Sequence, residues 1–121
     1  MKLKKLLNEI ARQPVAFYNY DEEFYPLVSV VISFYTDIDD RNVDILISQK
    51  QAKDLLALFD SIGVKKNINK NGMKLKNVDD YIQMDYDSDF KRDVVNIPKN
   101  MVNSLKTSVE KLLNTKPRKW A

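Results

Sequence analysis

Residues 27–62, LVSVVISFYTDIDDRNVDILISQKQAKDLLALFDSI, change hydrophobic period part-way, and that change decides the fold. Up to Thr36 the stretch is dense in β-branched and aromatic residues, which suit a strand. After the acidic turn Asp37-Ile38-Asp39-Asp40, RNVDILI alternates Val43, Ile45 and Ile47 with Asp44 and Leu46, the period of a second strand. At Ser48 the period becomes helical. Ala52, Leu55, Leu56, Phe59 and Ile62 share one face, Ser48 caps the start with Gln51 reaching back, and Gly63 closes the end. The stretch reads as a ββα unit.

Residues 79–113 repeat that order. YIQMDYD and RDVVNI read as strands around another acidic turn. Pro98 then sits in the first turn of a helix with Met101, Val102, Leu105, Val109, Leu112 and Leu113 as its apolar positions. Sliding the chain by 50 residues lays Ile32 on Ile82, Phe34 on Met84, Arg41 on Lys91, Ile45 on Val95, Ile47 on Ile97 and Leu55 on Leu105, with no gap. An internal repeat of this kind predicts a pseudo-two-fold arrangement, with helices covering one face of an antiparallel sheet.

The flanks complete the outline. VAFYNY reads as a strand forming a hairpin with the first strand of the 27–62 unit, and residues 2–13 read as an amphipathic helix stopped by Pro14, with Leu3, Leu6, Leu7 and Ile10 on one face. Residues 64–78 hold five lysines, four asparagines and no acid; they read as a solvated basic linker with room for a short hairpin at Asn71-Gly72. Residues 114–121 form a basic tail expected to fray. The prediction is one α+β domain over 1–121, in the order α-β-ββα-ββα.

Composition narrows the chemistry. The chain has 121 residues, 44% hydrophobic and 31% charged, enough apolar material for a core. It has no Cys and no His, so thiolate nucleophiles, cysteine-built zinc sites and the commonest general base are all missing. With Gly63 and Gly72 as its only glycines it cannot build a Gly-rich phosphate loop. Asp85-Tyr86-Asp87-Ser88-Asp89 begins like a calcium loop, but Phe90 stands where the turn needs Gly and Asn96 where a bidentate Glu belongs. The expectation is a protein that is not an enzyme and uses no cofactor and no metal. No segment approaches the roughly 20 apolar residues of a membrane helix, so a cytoplasmic protein without a membrane partner is expected.

Alternation then sorts the strand residues by face. If Ile32, Phe34, Val43, Ile45, Ile47, Ile82, Met84, Val95 and Ile97 point to the helices, then Val31, Ser33, Tyr35, Asp44, Leu46, Tyr81, Gln83, Val94 and Asn96 point away. Such a mixed aromatic and polar face suits single-stranded nucleic acid or a protein partner. Each unit, its strand stepping through Ile47-Ser48 or Ile97-Pro98 into an amphipathic helix, also resembles Whirly-type single-stranded-DNA-binding domains over residues 27–62 and 80–113. The resemblance implies sheets and helices paired with internal two-fold symmetry, and single-stranded DNA as the ligand.

The expected nucleic-acid-binding residues are Tyr35, Tyr81 and Gln83 on the outward face, with Lys74, Lys76, Arg41, Lys91 and Arg92 as the cations around it. The competing expectation is a protein-binding module, such as a small phage or mobile-element inhibitor, whose acidic turns engage a basic partner. A homodimer is compatible with either.

Overall fold

The computed structural model describes residues 13–118, so the helix expected over 2–13 lies outside the described residues but for Gln13. The chain forms β1 (Val15–Asn19), β2 (Ser29–Thr36), β3 (Arg41–Ile47), α1 (Gln49–Ile62), β4 (Asn67–Lys70), β5 (Met73–Val78), β6 (Tyr81–Asp87), β7 (Arg92–Pro98) and α2 (Val102–Leu113). Short 3-10 turns lie at Glu22–Phe24 and Lys99–Met101. The fold is α+β and every strand pair is antiparallel. No described helix is long and apolar enough to cross a membrane.

The strands form two sheets, β1-β2-β3 and β4-β5-β6-β7, where one was expected. The division has a physical cause at the facing edges, where side chains take the backbone groups that a continuous ladder would use. On β3, the Asp44 carbonyl accepts from Lys91 Nζ at 2.8 Å and from the Tyr86 hydroxyl at 3.4 Å. The Leu46 carbonyl accepts from Ser88 Oγ at 2.6 Å, and the Leu46 N–H donates to Tyr86 Oη at 3.4 Å. On β7, the Val94 carbonyl accepts from Arg41 at 3.1 Å and the Asn96 carbonyl from Thr36 Oγ1 at 2.6 Å.

Residues 64–78 are not a linker. They contain β4 and β5, joined by the two-residue turn Asn71-Gly72. Both turn residues have positive φ, 50° and 78°, as a type I′ hairpin requires. Met73 and Leu75 face the core between exposed Lys74 and Lys76, so a lysine-rich stretch still carries a strand's alternation. The turn is held by α1. Gln51, which completes the capping box with Ser48, also donates through Nε2 to the carbonyls of Asn71 and Asp87, each at 3.0 Å.

The two hairpins do not superpose under one ungapped shift. Ile32 pairs with Ile45, whereas Ile82 pairs with Ile97, so the counterpart of Ile45 is Ile97 rather than Val95. The slip is by an even number of residues and therefore leaves every side chain on its expected face. Pro98 likewise ends β7 instead of entering the last helix.

All nine residues expected to face the helices are buried, within one cluster shared by both sheets and both helices. Each helix packs mainly on the sheet of the other unit: α1 lies against β4 and β5, α2 against β1, and the helices touch each other. The tail is tied down as far as Arg118. Its backbone N–H donates to the Tyr20 hydroxyl at 2.8 Å and its guanidinium lies 4.4 Å from the centre of the Tyr20 ring.

Candidate nucleic-acid interface

Burial of Met73, Leu75, Ile82, Met84 and Val95 on the inner side of the four-stranded sheet turns their neighbours outward. Strand register sets those neighbours in rows. Asn67, Lys76, Gln83 and Asn96 lie side by side across β4 to β7, and Asn69, Lys74, Asp85 and Val94 form the next row. Tyr81 precedes Gln83 on the same face of β6, and Asp87 pairs with Arg92 at the other end.

This face is not flat. A groove of about 310 Å³ is lined by residues that include Asn67, Asn69, Lys74, Lys76, Gln83 and Asp85. A second, of about 260 Å³, is lined by residues that include Asn69, Lys70, Lys74, Asp85, Asp87 and Arg92. Asn69, Lys74 and Asp85 belong to both, which makes one trough along the outer side of the sheet. Its polar walls are carboxamides, ammonium groups and the Arg92 guanidinium, with two carboxylates, Asp85 and Asp87, among them.

Five of the eight expected residues, Lys74, Lys76, Tyr81, Gln83 and Arg92, therefore stand on one surface. Lys74, Lys76 and Arg92 are exposed, while Tyr81 and Gln83 are half-buried. The other three lie elsewhere. Tyr35 is on the three-stranded sheet opposite Asn42, and its hydroxyl donates to the Asp40 carboxylate in the next turn. Arg41 and Lys91 are at the seam between the sheets, each donating to a carbonyl of the other unit and each 3.7 Å from Asp93 Oδ2.

The acidic β2–β3 turn reaches this surface. Asn96 Nδ2 donates to Asp39 Oδ1 at 2.9 Å, and Gln83 Nε2 donates to Asn96 Oδ1 at 3.5 Å. Alternation places Asn96 outward but assigns it no role, and composition alone sets Asn67 and Asn69 in a linker. The alternation of Met73 and Leu75 with Lys74 and Lys76 is the signal that puts those asparagines beside a strand.

Beneath the seam, burial pushes the Tyr86 phenol up to about 12, against a smaller lowering by its backbone hydrogen bond at Leu46. Among the described residues there is no group of three or more Asp, Glu, His or Cys placed to hold a metal ion.

Comparison of the chain with protein-family models, with curated proteins and with solved structures finds no match.

Proposed function

We propose that this chain is a cytoplasmic, non-catalytic domain that binds single-stranded nucleic acid along the trough of the four-stranded sheet. The observation that carries the reading is the gathering of Lys74, Lys76, Tyr81, Gln83 and Arg92 on one outward face. The cations neutralise backbone phosphates and release counterions, Tyr81 offers a ring for a base to stack on, and the carboxamides hydrogen-bond to base edges. Asp85 and Asp87 line the same trough and oppose phosphate, so the affinity is modest and strongly salt-dependent. The resemblance of the two ββα units to Whirly-type domains supports the same ligand.

Fluorescence anisotropy with labelled single-stranded and double-stranded oligonucleotides, at two salt concentrations, tests the proposal. Single strands should bind more tightly, with affinity falling steeply as salt rises. No binding of either form at low salt would overturn it in favour of a protein-binding module.

A further inference from the structure

The Asp39–Asn96–Gln83 chain of hydrogen bonds has a direction. An ionised carboxylate only accepts hydrogen bonds, so Asp39 obliges Asn96 to turn its NH2 group toward it, 2.9 Å away. Asn96 then has its carbonyl oxygen on the opposite side, where it accepts from Gln83 Nε2 at 3.5 Å. That second bond turns the Gln83 amide in its turn: the nitrogen faces Asn96 and the oxygen is left for whatever enters the groove. Among the described residues no donor is bonded to Gln83 Oε1, and Gln83 lines the groove together with Lys76, its direct cross-strand neighbour. The anchor is firm. The Asn96 backbone carbonyl is held by Thr36 Oγ1 at 2.6 Å, at the end of the strand that leads into the turn carrying Asp39.

An unconstrained glutamine can flip its amide to suit a donor or an acceptor, and so distinguishes poorly between bases. A glutamine turned by a carboxylate two steps away in the relay has one preferred orientation. We propose that Gln83 is the specificity-determining residue of the trough, presenting its carbonyl oxygen as a fixed acceptor that selects strands whose bases carry an exocyclic amino group. This inference rests on the single-strand reading given above. Cytosine and adenine offer such a donor through N4 and N6, whereas thymine offers O4, an acceptor, at the corresponding place. Tyr81, two residues along the same face of β6 and about 7 Å away, is placed to stack the base whose edge Gln83 reads.

The test is anisotropy with oligo-dC, oligo-dA and oligo-dT on the full chain and on the variants Asp39→Asn and Gln83→Ala. The parent should bind oligo-dC and oligo-dA about fivefold more tightly than oligo-dT, equivalent to about 1 kcal/mol. In Asp39→Asn, whose amide can either donate or accept, the preference should collapse to parity while binding itself persists. Gln83→Ala should reach parity as well, which guards against a turn variant that loses its fold. Equal affinity of the parent for all three oligonucleotides, or a preference that survives both substitutions, overturns the role of Gln83 and leaves the single-strand reading standing. No binding of any oligonucleotide by the parent at low salt overturns both.

Discussion

Arg41 and Lys91 make reciprocal bonds between the two units. Arg41 donates to the Val94 carbonyl at 3.1 Å and Lys91 to the Asp44 carbonyl at 2.8 Å, so that donor and acceptor are each displaced by fifty residues between the two bonds. Asp93 Oδ2 lies 3.7 Å from both cations. Each sheet thus satisfies an edge carbonyl of the other with a cation, and one carboxylate balances the pair. This arrangement accounts for two well-alternating strands, β3 and β7, facing each other's sheets without forming a ladder.

Because Asp93 is shared, the two cations should not act independently. Arg41→Ala and Lys91→Ala should each lower stability by about 1 kcal/mol, since both bonds are charge-assisted but partly exposed. Either variant leaves Asp93 with one counter-ion. The double variant leaves it with neither of the two, and should cost more than the sum of the singles by about 0.5 kcal/mol or more. Urea unfolding of the four proteins measures this; strict additivity would show that Asp93 does not couple them.

What the sequence disclosed and what it concealed follow from the same geometry. Inward residues such as Ile32, Ile45, Met84 and Ile97 were legible because alternation survives any even slip in register, whereas the pairing of Ile82 with Ile97 depends on where the strands lock and leaves no mark on periodicity. Tyr86 continues the inward series of Ile82 and Met84, yet its place inside the run Asp85 to Asp89 makes it look like part of an exposed turn. The split into two sheets was hidden more deeply. It depends on Ser88 and Lys91 reaching β3 residues more than forty positions earlier in the chain, an interaction that no local pattern encodes. The lysines of the trough are visible in composition, but the relay from Asp39 through Asn96 to Gln83 joins the turn of one unit to two strands of the other and emerges only in the assembled fold.

The two glycines should respond oppositely to alanine. Gly72 has a φ of +78°, and a Cβ there would sit 2.7 Å from the Asp87 backbone oxygen, which cannot move without disturbing β6. Gly72→Ala should therefore cost about 1–2 kcal/mol or more from the left-handed backbone alone. Gly63 is right-handed, and a Cβ there meets nothing within 4 Å. Gly63→Ala should be neutral or stabilise by about 0.4–1 kcal/mol through the unfolded chain. Paired thermal melts decide it, and a neutral Gly72→Ala would contradict the turn geometry.

Tyr86 should make stability fall at alkaline pH. Its hydroxyl ionises at about 12 in the folded protein against the ordinary 10.0. Below pH 10 both states keep the proton and this residue contributes no pH dependence. Between 10 and 12 the unfolded chain loses its proton first, so it binds fewer protons than the native state and stability declines, by about 1.4 kcal/mol per unit. Tyr86→Phe should cost about 1 kcal/mol at neutral pH, since the Leu46 N–H loses its partner, and should flatten the alkaline decline relative to the parent. Denaturant unfolding from pH 8 to 12 provides the comparison; parallel curves for the two proteins would show that Tyr86 is not the group responsible.

The trough and the seam should separate in a binding experiment, because their cations face different things. Lys74 and Lys76 are exposed on the outer side of β5, so replacing both by Ala should lower the slope of log affinity against log salt by about 0.7 for each phosphate no longer neutralised, with little change in melting temperature. Tyr81→Ala should cost about 1–3 kcal/mol of single-strand binding, with a salt slope close to the parent's, because stacking releases no counterions. Arg41→Ala and Lys91→Ala should show the converse, a lower melting temperature and a slope near the parent's, since both cations are already committed to carbonyls and to Asp93. If the seam variants moved the slope as much as the Lys74 and Lys76 pair does, the bound strand would have to extend across the junction of the two sheets rather than stay within the trough.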